Sequence, residues 1–105
     1  MLSVIVPSYN EELNIENTAK VLSDLFSENN IETELIFVDD GSKDKTYEKI
    51  CQCAEKYENV KGISFSRNFG KESAMYAGLK ASKGDYVCII DADLQQRPEV
   101  VLKML

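Results

Sequence analysis

Apolar residues along this chain follow two patterns: short continuous runs, and longer stretches in which they recur every three or four positions. The continuous runs predict four β-strands, at residues 2–7, 34–39, 60–66 and 86–91. We expect these strands to be apolar on both faces, which is typical of a buried parallel sheet.

Helical spacing occupies the segments between the runs. It predicts helices over residues 13–26, 44–57 and 71–81. Asp44 is the expected N-cap of the second helix, and Pro98 the first residue of a fourth. The residues expected to face inward from the third helix are Ala74, Met75, Gly78 and Leu79. This alternation predicts an α/β fold, with a Rossmann-like, mostly parallel sheet between two layers of helices.

Polar segments follow all four predicted strands, and they read PSYNEE, VDDGSKD, SRNFGKE and DADLQ. Ligands of such sheets bind beyond the carboxyl ends of the strands, where strand order reverses. Four carboxylates would converge at this edge, those of Asp39, Asp40, Asp91 and Asp93. Because unpaired carboxylates repel each other and lose hydration, we expect a cation or hydrogen-bond donors to share the site. A metal-assisted phosphate ligand would meet that need.

The segment DADLQ suggests which cation binds. Side chains alternate along extended backbone, so Asp91, Asp93 and Gln95 face the same way if the strand conformation continues through them. Three oxygen donors suit Mg²⁺ or Mn²⁺, and Mg²⁺ commonly completes its octahedron with phosphate oxygens and water. Tyr9 offers a stacking face for a base, and Asp39 an acceptor for a base N–H. These residues together indicate a nucleoside diphosphate.

Simpler interpretations exist for each residue taken alone. A turn with a helix cap would explain Asp39 and Asp40. Arg67 and Lys71 could be solvated charges beside a loop, and Tyr9 could cover the sheet edge. The functional interpretation therefore depends on the joint appearance of these residues at successive strand ends.

Composition and missing motifs exclude several functions. Twelve basic and eighteen acidic residues give a net charge of −6 without a Lys/Arg cluster, so nucleic acid is not an expected partner. The chain has no histidine, which excludes Ser-His, Cys-His and His-metal chemistry. It also lacks a GxxxxGK[ST] loop and a GxGxxG motif after the first strand, against P-loop NTPases and dinucleotide-dependent dehydrogenases.

The same composition bears on the cellular compartment. No apolar run approaches the roughly 20 residues that span a bilayer, and the first residues lack the features of a signal peptide. The three cysteines are expected to be reduced structural thiols. We therefore expect this chain to be cytoplasmic.

Four segments in order carry a resemblance: VIVPSYNEELNI, IFVDDGSKDKT, FSRNFGKESAMYAGL and GDYVCIIDADLQQRPE. Together they resemble the N-terminal half of family 2 glycosyltransferases with the GT-A fold. The DADLQ and RNFGKE segments are most similar to the polyprenyl-phosphate sugar transferases of the dolichyl-phosphate mannose synthase group. The resemblance implies that residues 1–105 form the nucleotide-sugar-binding half of a GT-A domain.

The resemblance also implies roles for particular positions. The residues implied to bind the nucleotide-sugar are Pro7, Tyr9, Glu11, Asp39, Asp40, Arg67, Lys71, Asp91, Ala92 and Asp93. Of these, Asp39 would contact the base, and Asp40 would lie near the ribose and diphosphate. The implied ligands of Mg²⁺ or Mn²⁺ are Asp91, Asp93 and Gln95.

The implied reaction is an inverting transfer from a UDP- or GDP-linked sugar to a dolichyl or undecaprenyl phosphate. The resemblance implies that any catalytic base and the acceptor site lie beyond Leu105. We therefore expect this chain alone to be inactive and to expose a face that favours self-association. The full-length protein would associate with the cytoplasmic face of a membrane.

Other functions stay open at this point. A family 2 transferase acting on a polysaccharide or glycan shares most of these motifs, and a non-catalytic nucleotide-binding module would share the pocket. A signalling receiver domain needs a phosphorylatable Asp after its third strand, where this chain has Arg67-Asn68. A haloacid-dehalogenase-type phosphatase needs its DxD after the first strand, whereas here the motif follows the fourth.

Overall fold

The computed structural model describes residues 1–92. Strands and helices alternate along this part of the chain as predicted. The elements are β1 (Leu2–Ser8), α1 (Ile15–Glu28), β2 (Thr33–Asp39), α2 (Thr46–Lys56), β3 (Val60–Ser64), α3 (Lys71–Ala81) and β4 (Tyr86–Ile89). The fourth helix predicted from Pro98 lies outside the described residues.

The four strands form one parallel sheet in the order β3-β2-β1-β4. The chain therefore moves outward from β1 to β3 and then returns to the other side of β1. Ser8 pairs with Asp39 across β1 and β2, and Ile5 pairs with Ile89 across β1 and β4. Strand order thus reverses between β1 and β4, where α/β sheets bind ligands.

Helices cover both faces of the sheet, which confirms the three-layer prediction. Helices α1 and α2 pack on one face, where Phe26 and Phe37 are the largest fully buried side chains. Helix α3 packs on the other face, against Ile5, Ile36 and Val38. Burial of each large apolar side chain contributes about 1.5–3 kcal/mol, so the central strands β1 and β2 carry most of the hydrophobic stabilisation.

The outer strands are more exposed than predicted. Burial on both faces holds for β1 and β2, whereas Tyr86 and Val87 of β4 are 68% and 40% exposed. In the described part of the chain, β3 and β4 are the edges of the sheet, and α3 contacts mainly β1 and β2. Both outer strands also end two residues early, at Ser64 and Ile89.

Two leucines do not lie where the helical pattern predicts them. Leu13 is 91% exposed and precedes α1, because a turn between Glu11 and Asn14 ends just before the helix. Leu79 is 47% exposed, since Gly78 is the position of α3 that packs on the sheet.

The second helix also begins later than predicted. Lys45 is the N-cap, and α2 starts at Thr46. Asp44 nevertheless accepts a hydrogen bond from the backbone N–H of Thr46 at 2.9 Å. Its carboxylate therefore stabilises the first turn from one residue before the N-cap.

A buried carboxylate in β2 was not anticipated from the sequence. Glu34 is 3% exposed and accepts hydrogen bonds from Ser3 Oγ at 2.5 Å, Lys61 Nζ at 2.8 Å and the Lys83 backbone N–H at 2.6 Å. Burial opposes its ionisation, but these donors outweigh burial and lower the pKa of Glu34 to about 2. The carboxylate ties β1, β3 and the turn before β4 to β2.

Within residues 1–92, no helix is long and apolar enough to cross a membrane. All three cysteines are free thiols: Cys51 and Cys53 lie in α2 and Cys88 in β4. Burial raises the pKa of Cys53, and it raises that of Cys88 to about 11. Both shifts favour the protonated thiol at neutral pH.

Candidate functional site

A cleft of about 240 Å³ opens at the carboxyl ends of β1 and β4, at the point where strand order reverses. Its lining residues are Pro7, Ser8, Tyr9, Glu11, Asp40, Lys71, Asp91 and Ala92. All but Ser8 are among the residues that the sequence predicts to bind a nucleotide-sugar. Two other predicted residues, Asp39 and Arg67, lie elsewhere, while Asp93 and Gln95 lie outside the described residues.

The loop after β1 is held by the loop after β2. Asn10 adopts a left-handed backbone conformation with φ of 52°, which Asn tolerates better than most residues. Its backbone N–H donates to Ser42 Oγ at 2.9 Å, and its Oδ1 accepts from the Lys43 N–H at 2.9 Å. The Glu11 N–H donates to Thr46 Oγ1 at 2.8 Å. The ring of Tyr9, which is 41% exposed, therefore stands on a fixed loop.

Asp39 is buried at the end of β2, on the same side of the sheet as Ser8. Its Oδ1 accepts a hydrogen bond from the Ser42 N–H at 3.0 Å, which forms the turn that the simpler interpretation expects. The pKa of Tyr47 is raised mainly by its hydrogen bond with Cys51 and by the charge of Cys51. Burial and the negative charge of Asp39 raise it further.

Asp40 shapes the loop that leads into α3. Its buried carboxylate accepts hydrogen bonds from the Phe69 N–H at 2.8 Å, the Gly70 N–H at 3.1 Å and Asn68 Nδ2 at 3.3 Å. These donors already use its oxygens, so Asp40 positions the loop and is poorly placed to bind a metal ion.

The next residue, Gly41, allows the same loop to approach closely. Gly41 has φ of 70°, and a Cβ atom there would lie 2.1 Å from the carbonyl carbon of Arg67. Only glycine combines this backbone conformation with such a close contact. Asp40 and Gly41 therefore fix where α3 begins, at Lys71.

Lys71 and Asp91 form an ion pair across the cleft, with 2.8 Å between Lys71 Nζ and Asp91 Oδ1. Lys71 is the first residue of α3, and Asp91 follows β4 by two residues. The next carbonyl, that of Ala92, accepts a hydrogen bond from the Thr18 hydroxyl of α1. The chain after β4 is thus held from both faces of the sheet.

Arg67 lies away from the cleft. Its side chain is exposed, and its guanidinium carbon lies 4.7 Å from the centre of the Phe69 ring. The Phe69 ring in turn packs edge-on against Phe65, with 5.6 Å between ring centres. The structure therefore brings Lys71, but not Arg67, into contact with the other predicted residues.

Sequence reasoning missed the polar side chains that hold these loops. They are Asn10, Thr18, Ser42, Thr46 and Asn68. Asn and Ser after a strand are typical turn residues that bond to nearby backbone, so the sequence carried a signal for three of them, Asn10, Ser42 and Asn68. It carried none for their partners, which lie about 30 residues away.

The described residues supply one part of the predicted metal site. Within residues 1–92, no three Asp, Glu, Cys or His side chains are grouped to hold a metal ion. Asp91 is one third exposed and faces the cleft, where the Lys71 ammonium group already pairs with it. The Asp91 carboxylate already pairs with one cationic group, and its oxygens are the kind of ligand that Mg²⁺ and Mn²⁺ prefer. The other predicted ligands are Asp93 and Gln95.

Comparison with known proteins decides the family. The family model described as "Glycosyl transferase family 2" matches residues 3–105. The chain belongs to glycosyl transferase family 2. This result confirms the family indicated by the four sequence segments.

Two curated relatives are named for a transfer that involves undecaprenyl phosphate or bactoprenol. The chain is 41% identical over 109 residues to the undecaprenyl-phosphate 4-deoxy-4-formamido-L-arabinose transferase of Photorhabdus laumondii, covering 99% of this chain and 32% of the relative. It is 40% identical over 104 residues to the bactoprenol glucosyl transferase of Shigella phage SfX, covering 99% and 34%. The chain thus spans about a third of the length of the curated relatives it matches.

A solved glycosyltransferase structure confirms the GT-A fold. The mannosyltransferase PcManGT from Pyrobaculum calidifontis, in complex with GDP-Man and Mn²⁺, superposes with a TM-score of 0.74 at 30% identity. The match covers 88% of this chain and 27% of that protein. The described residues therefore form part of a GT-A glycosyltransferase fold.

Proposed function

We propose that residues 1–105 are the donor-binding half of a glycosyltransferase that moves a sugar from a UDP- or GDP-linked donor to a polyprenyl phosphate. One observation carries the proposal. The cleft at the reversal of strand order joins the loop of Pro7 and Tyr9 to Lys71 and Asp91. An aromatic ring, a cation and a carboxylate in one cleft suit the base, the diphosphate and the metal ion of a donor.

The donor would lie with its base near Tyr9 and its phosphates near Lys71. The Tyr9 ring is 41% exposed and offers a stacking surface. Lys71 begins α3, whose first N–H groups have no side-chain cap and favour an anion. Asp39 does not line the cleft itself, but it pairs across the sheet with Ser8, which does, and it stays our proposed acceptor for a base N–H.

A divalent cation would be held by Asp91 together with Asp93 and Gln95. When bound, Mg²⁺ or Mn²⁺ would neutralise charge that develops on the departing nucleoside diphosphate. PcManGT, the solved neighbour, holds Mn²⁺ with GDP-Man. The role of Asp91 is to present one carboxylate oxygen from a chain segment that α1 and α3 hold on either side.

The acceptor side is proposed from the relatives. Both relatives described above act, by name, on a lipid-linked acceptor, undecaprenyl phosphate or bactoprenol. An acceptor phosphate is already anionic at neutral pH, so its attack on the sugar needs orientation more than deprotonation, and a single displacement inverts the anomeric centre. We place the acceptor site beyond Leu105, so this chain alone binds the donor without transferring sugar. The full-length protein would work at the cytoplasmic face of a membrane.

A transfer assay on the full-length protein tests the acceptor. Radiolabelled UDP- and GDP-sugars are supplied with Mg²⁺, either with undecaprenyl phosphate or with a soluble glycan. We expect label in the lipid fraction, abolished by EDTA and restored by Mg²⁺ or Mn²⁺. Label in the glycan alone would support a family 2 enzyme of polysaccharide synthesis. Nucleotide binding without transfer to either acceptor would support a non-catalytic binding module.

A further inference from the structure

The cleft contains a charge imbalance that the ion pair partly corrects. Within residues 1–92, its lining includes three carboxylates, those of Glu11, Asp40 and Asp91, and one cationic side chain, Lys71. Glu11 accepts a hydrogen bond from Asn14 Nδ2 at 2.7 Å, and Asp40 is occupied by the loop before α3. Lys71 therefore directs its charge to Asp91, the carboxylate proposed to bind the metal ion.

The ion pair is built so that it can separate. The side chain of Lys71 is 58% exposed and that of Asp91 is 34% exposed, so neither loses hydration completely when the pair forms. Pairs of this kind contribute little stability, because water solvates the separated charges well. The backbone positions at both ends are fixed by Asp40 and Thr18, so only the flexible lysine side chain has to move.

We infer that Lys71 is an exchangeable counter-cation: it neutralises Asp91 while the metal site is empty, and transfers to the donor diphosphate when the metal ion binds. This inference depends on the proposed function of the cleft. A divalent cation on Asp91 repels the ammonium group, and a diphosphate bound to that cation offers new anionic oxygens nearby. The same lysine thus competes with the metal ion alone and cooperates with the metal–nucleotide pair.

This role predicts that a neutral substitution of Lys71 changes two affinities in opposite directions, the affinity for Mn²⁺ alone and the affinity for Mn²⁺ with nucleotide. Lys71→Met removes the competitor for Asp91, so Mn²⁺ alone should bind about twofold to fivefold more tightly, the range expected for an exposed ion pair. The same variant loses a charged contact to phosphate, so Mn²⁺ with UDP or GDP should bind at least about tenfold more weakly. A lysine that merely supports the fold would not produce this divergence.

Electron paramagnetic resonance of free Mn²⁺ measures both affinities on this 105-residue chain. Lys80→Met is the matched control, because Lys80 lies on the same helix and pairs with the Tyr76 ring, 5.0 Å away. It should behave as the unsubstituted chain. Lys71→Arg keeps the positive charge. The affinity for Mn²⁺ alone and the affinity for Mn²⁺ with nucleotide should therefore stand in the same order as in the unsubstituted chain. Lys71→Gln provides a second neutral variant, and an amide NMR spectrum checks that each variant is folded.

The outcomes separate the two proposals. Unchanged Mn²⁺ and Mn²⁺–nucleotide affinities in folded Lys71→Met and Lys71→Gln would overturn the exchange, while the nucleotide site would stand. Weaker binding of Mn²⁺ alone in both variants would also overturn it. If the unsubstituted chain binds neither nucleotide with Mn²⁺, the proposed function of the chain fails. Tighter binding of Mn²⁺ alone by Lys71→Met would still support competition at Asp91 in that case.

Discussion

Oδ1 of Asp40, the residue that follows β2, lies 2.8 Å from the backbone nitrogen of Phe69, 29 residues further along the chain. This contact and those to Gly70 and Asn68 fix the entry to α3, and through it the position of Lys71. The second acid of the VDDGS segment therefore acts on the site through the loop that it holds.

Asp40→Asn should destabilise the fold and weaken nucleotide binding. The amide places an N–H group against backbone N–H groups, so one buried donor loses its acceptor, at a cost of about 1–3 kcal/mol. Urea unfolding followed by circular dichroism measures the free energy of unfolding. Asp24→Asn, an exposed acid of α1, is the matched control and should change it little. Equal stability of the two variants would contradict the role given to Asp40.

Gly41→Ala should cost more stability than Gly70→Ala. Both glycines have positive φ, 70° and 105°, so both substitutions strain the backbone. A Cβ at Gly41 also meets the Arg67 carbonyl carbon at 2.1 Å, whereas no heavy atom lies within 4 Å of a Cβ at Gly70. In thermal or urea unfolding, we expect Gly41→Ala to lower the free energy of unfolding by more than about 1 kcal/mol beyond the loss caused by Gly70→Ala. The reverse order would show that the loop does not pack on Gly41.

Acid should destabilise the protein through Glu34. Its pKa is about 2 in the folded chain, against an ordinary value of 4.5, so the unfolded chain takes up the proton first as pH falls. Ionised Glu34 therefore stabilises the folded chain by about 3 kcal/mol above pH 4.5. This stabilisation is lost as the pH falls from 4.5 to 2. The free energy of unfolding, measured across this pH range, should fall less steeply with falling pH in Glu34→Gln than in the unsubstituted chain. An identical slope in the variant would place the acid sensitivity elsewhere.

Asp91→Asn should weaken metal-dependent nucleotide binding and leave stability nearly unchanged. Loss of a charged oxygen ligand should reduce the affinity at least about tenfold in the presence of Mg²⁺, whereas the exposed ion pair with Lys71 contributes at most about 1 kcal/mol. Asp85→Asn removes the same charge at the other end of β4, where Asp85 pairs with the terminal amine. Calorimetric titration should distinguish the two variants, and Asp93→Asn should resemble Asp91→Asn.

Tyr9→Ala should reduce nucleotide affinity, and Tyr9→Phe should restore it. Stacking of a base on an aromatic ring contributes about 1–3 kcal/mol, and it depends on the ring rather than on the hydroxyl. Tyr76→Ala, an exposed tyrosine of α3, controls for loss of an aromatic surface. Unchanged affinity in Tyr9→Ala, measured by the same titration, would remove Tyr9 from the base site.

Sequence patterns predicted the central strands and all three helices of the described chain, because β1 and β2 are buried on both faces and have continuous apolar runs. They misplaced Leu79, whose orientation depends on how closely Gly78 approaches Ile5. They also could not give the strand order, nor the pairing of Lys71 with Asp91 across 20 positions. Both depend on tertiary packing and not on local preference.

The predicted residues converge because parallel strands bring their carboxyl ends to one edge. Seven of them line the cleft, which the strand-end argument anticipated. That argument also expected a cation or hydrogen-bond donors to share the site, and the structure provides them for three of the four carboxylates. Asp39 accepts from Ser42, Asp40 from the loop before α3, and Asp91 from Lys71. The donors to Asp40 and Asp91 come from other segments and leave no mark in the local sequence, whereas Ser42 follows Asp39 by three residues.

An amide-resolved NMR titration of this chain with UDP and with GDP, each with and without Mg²⁺, tests the donor site most directly. We predict metal-dependent shifts, with one of the two nucleotides, at the amides of Tyr9, Lys71 and Asp91. Amides at the opposite end of the sheet, such as those of Glu34 and Asp85, should not move. A folded spectrum that changes with neither nucleotide, or that changes only away from the cleft, would contradict a nucleotide-sugar site in this half of the enzyme.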